Sequence, residues 1–300
     1  MISVYHSPAY TLAAHEYSTT RKAGWIADSL RRNPLSGVAL VEPEPLAFEQ
    51  VAEVHDPAYV CAIQTGEPRE AAESQGFGWD HGLWDMVLAS NGGVGAAVFD
   101  ALKNRVSGSL SSGLHHARRN GGDGNCTFNG LVIGAKAAIA AGAKSILILD
   151  LDAHCGGGTH SLIAGDSRTW QLDVSVASFD SYEPGERTSL DIVQSASNYL
   201  PTIERRLEEL EANGPVFDLC IYNAGMDPHE NCPVGGMTGI DAEILRGRER
   251  LVFGWCERRR IPVAFVLAGG YVGSSLSVED LVALHRLTIA SAAKRPTAAD

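Results

Sequence analysis

The stretch Ser145-Ile-Leu-Ile-Leu-Asp-Leu-Asp-Ala-His-Cys-Gly-Gly-Gly158 decides how the rest of the chain is read. Its first half is a short apolar run of the kind that forms a strand buried on both faces. Asp150, Asp152 and His154 then fall at alternate positions, and an extended backbone sends such residues to one side. Three glycines follow, and residues without a Cβ allow a sharp turn or a close approach of backbone. Two carboxylates and an imidazole aimed at one point suggest a metal. Oxygen donors combined with a ring nitrogen suit Zn2+ or Fe2+ better than Ca2+. The alternative is a strand that ends in a solvated acidic loop.

Working outward, further strands are expected at residues 2–5, 37–41, 108–114, 169–177, 218–223 and 263–267. Helices are expected at 18–32, 47–55, 57–65, 83–102, 128–141, 198–211, 240–259 and 278–293. Residues 66–82 read as a long polar and aromatic loop, a length often kept for function. Gly92-Gly93, inside one predicted helix, suggests a close packing contact. Strands alternating with helices predict an α/β fold, a parallel sheet flanked by helices. One domain over residues 1–300 is the simplest reading, since 300 residues with 45% hydrophobic content can bury a large core. A net charge of −12 argues against nucleic acid or an anionic membrane surface as a partner. Six scattered cysteines without CxxC spacing read as reduced thiols of a cytoplasmic protein. The first residues lack the pattern of a secretory signal, and no apolar run reaches transmembrane length.

Ligands of open α/β sheets bind outside the carboxyl ends of the strands. Polar residues cluster at those predicted ends. His115-His116 follow one strand, Asp150, Asp152 and His154 the next, Asp227 a third, and Gly269-Gly270-Tyr271 a fourth. Chance would scatter such residues over both rims.

These segments resemble the histone deacetylase superfamily, which includes acetylpolyamine amidohydrolases and is distantly similar in fold to arginase. The matching motifs are Gly113-Leu-His-His-Ala-Arg-Arg119, Gly124-Asn-Cys-Thr-Phe-Asn129, Asp150-Leu-Asp-Ala-His154, Asn223-Ala-Gly-Met-Asp227 and Gly269-Gly-Tyr271. His15-Glu16, Thr20-Arg21 and the segment Val54-His-Asp-Pro-Ala-Tyr-Val60 also match, so the resemblance covers nearly the whole chain. It implies an arginase/deacetylase-like fold and a zinc-dependent amidohydrolase that removes acetyl or other acyl groups from an acyl-lysine or related N-acyl amine. By the resemblance Asp152, His154 and Asp227 are the zinc ligands, with Fe2+ as another occupant. Three protein ligands leave a position open, as catalytic zinc requires. His115 and His116 are the general base and acid pair, and Tyr271 donates its hydroxyl to the developing oxyanion. Asp150 orients His115 and, with Ser175 and the carbonyls of Asp152, His154 and Val176, forms a monovalent cation site, usually K+. Gly124, Asn125, Tyr182, Val234, Gly269 and Asp80 are the expected substrate-binding residues.

The departures from the family pattern matter as much. The family usually continues His-His-Gly-Asp-Gly where this chain has His154-Cys-Gly-Gly-Gly158, so Gly157 marks a missing carboxylate beside His116. Asn125 replaces a channel-lining Phe and makes one wall polar, while Val234 keeps another apolar. Tyr182 is expected to supply the wall opposite Asn125. Trp79-Asp80 is read either as binding the substrate backbone or amine, or as a solvated loop. His6, His55 and His285 are expected to be structural, and Glu257-Arg-Arg-Arg260 a cationic helix end. Two alternatives accompany the acyl-lysine reading: action on acetylated polyamines or other small N-acyl amines, and a weakly catalytic metal-dependent binder of acylated ligands. In a homo-oligomer, a neighbouring subunit would be placed to narrow the channel mouth.

Overall fold

The computed structural model describes residues 1–13 and 21–294. Its strands in chain order are β1 (Ile2–Tyr5), β2 (Val38–Val41), β3 (Val106–Ser109), β4 (Ile146–Asp150), β5 (Thr169–Ser175), β6 (Thr188–Ile192), β7 (Leu219–Asn223) and β8 (Val263–Val266). They form one sheet in the order β2-β1-β3-β8-β7-β4-β5-β6, and every pairing is parallel. The helices are α1 (Lys22–Arg32), α2 (Phe48–Ala52), α3 (Pro57–Thr65), α4 (Arg69–Ala72), α5 (Leu83–Asn104), α6 (Gly130–Ala140), α7 (Gly157–Ile163), α8 (Ala196–Asn213), α9 (Ala242–Arg259) and α10 (Val278–Ala293).

The apolar run that opens the sequence reading is buried throughout as β4. Its two faces serve different cores, because alternate side chains of a strand point to opposite sides. Leu147 and Leu149, with Cys220 and Tyr222 of β7, join Ile26 of α1, Ile203 of α8, Phe253 of α9 and Leu281 of α10. Ile146 and Ile148, with Leu219 and Ile221, join Ile63 of α3, Val94 of α5 and Leu131 of α6. Helices therefore cover both faces, as an all-parallel sheet demands. Gly92 and Gly93 of α5 do mark a close approach: a Cβ there would lie under 3.0 Å from the Glu44 carbonyl and from the Tyr10 hydroxyl.

Several boundaries differ from expectation. The strand expected at 108–114 is β3, which starts two residues earlier and stops at Ser109; Leu114, at φ +55, lies outside extended geometry. Residues 110–116 are thus a loop at the carboxyl end of β3. α7 starts among the glycines, the edge strand β6 was not anticipated, and the 66–82 loop contains α4. The motif His15-Glu16 and the expected helix start at residue 18 lie outside the described residues. Among the described residues no helix is long and apolar enough to cross a membrane.

Candidate active site

The carboxyl ends of β3, β8, β7 and β4, four consecutive strands of the sheet, converge on one buried group of side chains. Asp152 and His154 follow β4, and Asp227 follows β7. One donor atom from each lies within 4.8 Å of the others, and this is the metal-competent group found among the described residues. The backbone sets the cluster. Ala153 N–H donates to Asp227 Oδ1 at 3.0 Å, and Gly269 N–H, beyond β8, donates to Asp152 Oδ2 at 2.7 Å. Glycine is required at 225 and 269, where a Cβ would lie under 3.0 Å from the Asp152 and Asp227 carboxylates. Asp227 Oδ2 is buried and receives no well-directed hydrogen bond, its contact with His154 Nδ1 at 3.2 Å being an ion pair. Burial and the adjacent Asp152 push Asp227 up to about 6. His154 is desolvated, yet its bonds to Asp152 and Asp227 outweigh this and push it up to about 11. Two buried carboxylates drawn onto one imidazole nitrogen, each 3.2 Å from it, form a donor set that suits a cation.

His115 and His116 lie beside this cluster, their ring centroids 3.9 Å apart. Each has a buried carboxylate at Nδ1. Asp150 Oδ2 is 2.8 Å from His115, and Asp180 Oδ2 is 2.9 Å from His116. Asp150 is fixed in turn by the Asn223 side chain at 2.8 Å. Desolvation opposes charging both rings, but Asp150 and Asp152 overcome it for His115 and raise it to about 10. For His116, burial and then the charge of His115 prevail over Asp180, and it is lowered. The backbone of the pair rests on α7: Thr159 N–H donates to the His115 carbonyl at 2.9 Å, and a Cβ on Gly158 would strike the carbonyls of both histidines.

The expectation that His116 lacks a carboxylate is corrected here. Gly157 carries none, but Asp180, in the turn between β5 and β6, reaches the same imidazole. The Asp180 backbone carbonyl and carboxylate fill the space a Cβ on Gly157 would need.

Tyr271 follows the glycine pair after β8. Burial and the nearby charges of Asp227 and Asp152 push its hydroxyl well above the usual phenol range. Gly124, at φ +50, packs on the His116 ring and on Phe179. The expected place of Tyr182 is also corrected. The ring beside the site is Phe179, three residues upstream, whose centroid lies 4.9 Å from His116 and 6.1 Å from His154. Tyr182 instead stacks on His160 at 4.2 Å and donates to the Ser189 carbonyl. Phe179 and Val234 are 47% and 46% exposed, which makes them an apolar rim; the adjacent Gly235 backs onto the His154 ring. Asn125 borders a cavity of about 60 Å³ together with Tyr10, Lys22, Leu110 and Ser111. Asp80 accepts the Gly82 N–H at 2.7 Å in the turn that opens α5. Ser175 donates to Asp173 at 2.6 Å, and Val176 N–H to the Ala153 carbonyl at 3.0 Å. Asp173 was not anticipated, and burial and then Asp150 push it well above the usual carboxylate range.

Arg248 was missed as well. This fully buried residue of α9 donates through Nη1 to the carbonyls of Leu151, at 3.1 Å, and Gly225, at 2.6 Å. Leu151 precedes Asp152, and Gly225 stands two residues before Asp227. The guanidinium therefore ties together the segments that carry Asp152 and Asp227, with Glu249 as its buried counterion at 2.6 Å. The position of Arg248 on the buried stripe of α9 with Leu245, Val252 and Cys256 is the one sequence signal that distinguishes it from a solvated arginine.

The family model for the histone deacetylase domain matches residues 15–188. A Picosynechococcus protein described as uncharacterised is 30% identical over 259 residues, 83% of this chain and 85% of that one. The fold is shared with the HDA15 HD domain, at a TM-score of 0.78 and 18% identity over 97% of this chain and 89% of that one. It is also shared with acetylpolyamine aminohydrolase from Burkholderia pseudomallei, at 0.77 and 18% over 98% and 99%. Matched over more than half its length, with the motif residues gathered at one end of one sheet, the chain belongs to the histone deacetylase family.

Proposed function

We propose that this deacetylase-family protein is a zinc-dependent hydrolase that removes the acetyl group from an acyl-lysine side chain. The observation that carries the reading is the buried Asp152–His154–Asp227 group set against two carboxylate-backed imidazoles. Zinc bound there would supply Lewis acidity and an acidified water. Asp152, His154 and Asp227 would hold it. His115 and His116 move the protons, one taking that of the attacking water and the other supplying the leaving amine. Their carboxylates hold each proton at Nδ1 and turn Nε2 toward the reacting atoms. Tyr271, a phenol kept protonated by its surroundings, donates a hydrogen bond to the oxygen on which charge develops. Phe179 and Val234 line the approach with apolar surface, which suits the aliphatic stem of an acyl-lysine. Asp150, Ser175 and the carbonyls of Asp152, His154 and Val176 would hold a monovalent cation.

Acetate release by zinc-loaded protein, from an acetyl-lysine peptide and from acetylated polyamines, tests the reading. Expected are turnover of the peptide, dependence on added zinc, and loss in Tyr271→Phe and His115→Ala. A marked preference for the polyamines would overturn the lysine assignment. Release equally slow in wild type and variants would overturn the catalytic one.

A further inference from the structure

We propose that Asp180 is the positioning residue of His116, delivered from the β5–β6 turn into space that only a glycine at 157 leaves free, and locked there by Arg118. This rests on the proposed role of His116 in proton transfer.

The contacts of the Asp180 carboxylate are specific. Oδ2 faces His116 Nδ1 and also accepts the Gly158 N–H at 3.0 Å. Oδ1 accepts from the Arg118 guanidinium, which donates as well to the Gly157 carbonyl at 2.9 Å. Arg118 thus spans the gap between the turn and the start of α7. The carboxylate side chain is 1% exposed, so it is kept dry where a hydrogen bond orients most firmly. A carboxylate accepts only, which requires the proton on Nδ1 and leaves Nε2 as the ring's free acceptor.

Positions 157 and 180 exclude each other. A Cβ at 157 would lie under 3.0 Å from the Asp180 carbonyl and carboxylate, so a second acid at 157 could enter only if the first withdrew. The backbone at 180 is built for the task. Asp180 has φ +59, a region that Asp and Asn tolerate better than most residues. The turn is pinned by Cys155 N–H to the Phe179 carbonyl at 3.0 Å and by Ser181 N–H to the Ser178 carbonyl at 3.2 Å.

The test uses the zinc-loaded protein and three variants: Asp180→Asn, Gly157→Asp, and Gly157→Asp/Asp180→Gly. Asparagine keeps the shape and the backbone preference of aspartate, so Asp180→Asn removes the charge and turns one of its two acceptor oxygens into an NH2 donor. Expected is a fall in kcat on acetyl-lysine peptide of about 10²-fold, the lower end of what a proton-transferring side chain contributes. KM and zinc stoichiometry stay at wild-type values. Gly157→Asp alone is impaired, and the double variant is faster than Asp180→Asn. A downfield imidazole N–H proton resonance assigned to His116 is present in wild type, lost in Asp180→Asn and restored in the double variant.

An Asp180→Asn enzyme with wild-type kcat, or one that keeps the His116 resonance, overturns the proposal. So does a folded, zinc-loaded double variant no faster than Asp180→Asn. If wild type turns over no acylated amine while the resonance still depends on Asp180, the positioning holds and the catalytic reading is what fails.

Discussion

Arg248 invites the most demanding test. Its guanidinium bonds the carbonyls of Leu151 and Gly225 and is neutralised by Glu249, with the Tyr222 hydroxyl 3.0 Å from the same glutamate. Arg248→Met leaves Glu249 buried without its cation, and breaking a buried pair in this way costs about 3–5 kcal/mol. Arg248→Met/Glu249→Gln removes both charges and should regain much of that loss, because replacing a whole buried pair is often close to neutral. The double variant does not restore the two carbonyl bonds, each worth roughly 1.5–3 kcal/mol when the donor is charged. The segments carrying Asp152 and Asp227 would then be free to separate. Supports of this kind typically change metal affinity by about 10–100-fold. Denaturant unfolding of the metal-free proteins measures the first effect, and zinc competition against a chromophoric chelator measures the second. The expected pattern is a large stability loss in the single variant, partial recovery in the double, and weakened zinc binding in both. A folded double variant with wild-type zinc affinity would refute the reasoning.

Two further outcomes follow from single residues. Gly269→Ala drives a methyl group onto the Asp227 and Asp152 carboxylates. It should weaken zinc by at least about 10-fold in the same competition assay, and unchanged affinity would count against the ligand geometry. His55 accepts the Asn129 N–H at Nε2 and faces the Arg118 carbonyl at Nδ1. Burial, followed by the charge of Arg119, lowers it from 6.5 to about 4 against the pull of the Arg118 carbonyl. The unfolded chain therefore binds the extra proton first. Stability that is full above pH 6.5 declines as pH falls towards 4, at up to about 1.4 kcal/mol per pH unit for this group. His55→Gln should flatten that slope in denaturant titrations between those pH values, and a slope identical to wild type would exclude the assignment.

Much of this was legible because it is local. Alternation along 145–154 announces both a buried strand and three side chains on one side, since the period of an extended chain is a property of the backbone. Asp227 and Tyr271 could be placed because strands in a parallel sheet present their carboxyl ends on one rim. What escaped depends on partners distant in sequence. α7 starts at Gly157 and Gly158 against the poor helix propensity of glycine, since a Cβ at 157 would strike Asp180 and one at 158 the carbonyls of His115 and His116. β6 is a half-buried edge strand, Thr-Ser-Leu-Asp-Ile, whose polar alternation carries little signal away from its partner β5. Gly157 was correctly read as lacking a carboxylate. The replacement, Asp180, lies 23 positions downstream on another element, and no spacing rule connects the two. Phe179 was passed over for Tyr182 for the same reason: a turn between two strands has no periodicity by which to choose among its residues.

The adjacency of Phe179 and Asp180 bears on how such a protein can diversify. Phe179 packs against the His116 and His154 rings and the next residue holds the His116 imidazole, so under the proposed function the same short turn would set selectivity and rate together. Replacing the turn to accept a bulkier acyl group would also loosen His116, unless an acid were installed at 157 in the same step. Under the proposed function, specificity is therefore expected to change around Val234, where an exposed side chain can vary while the His116 support stays intact.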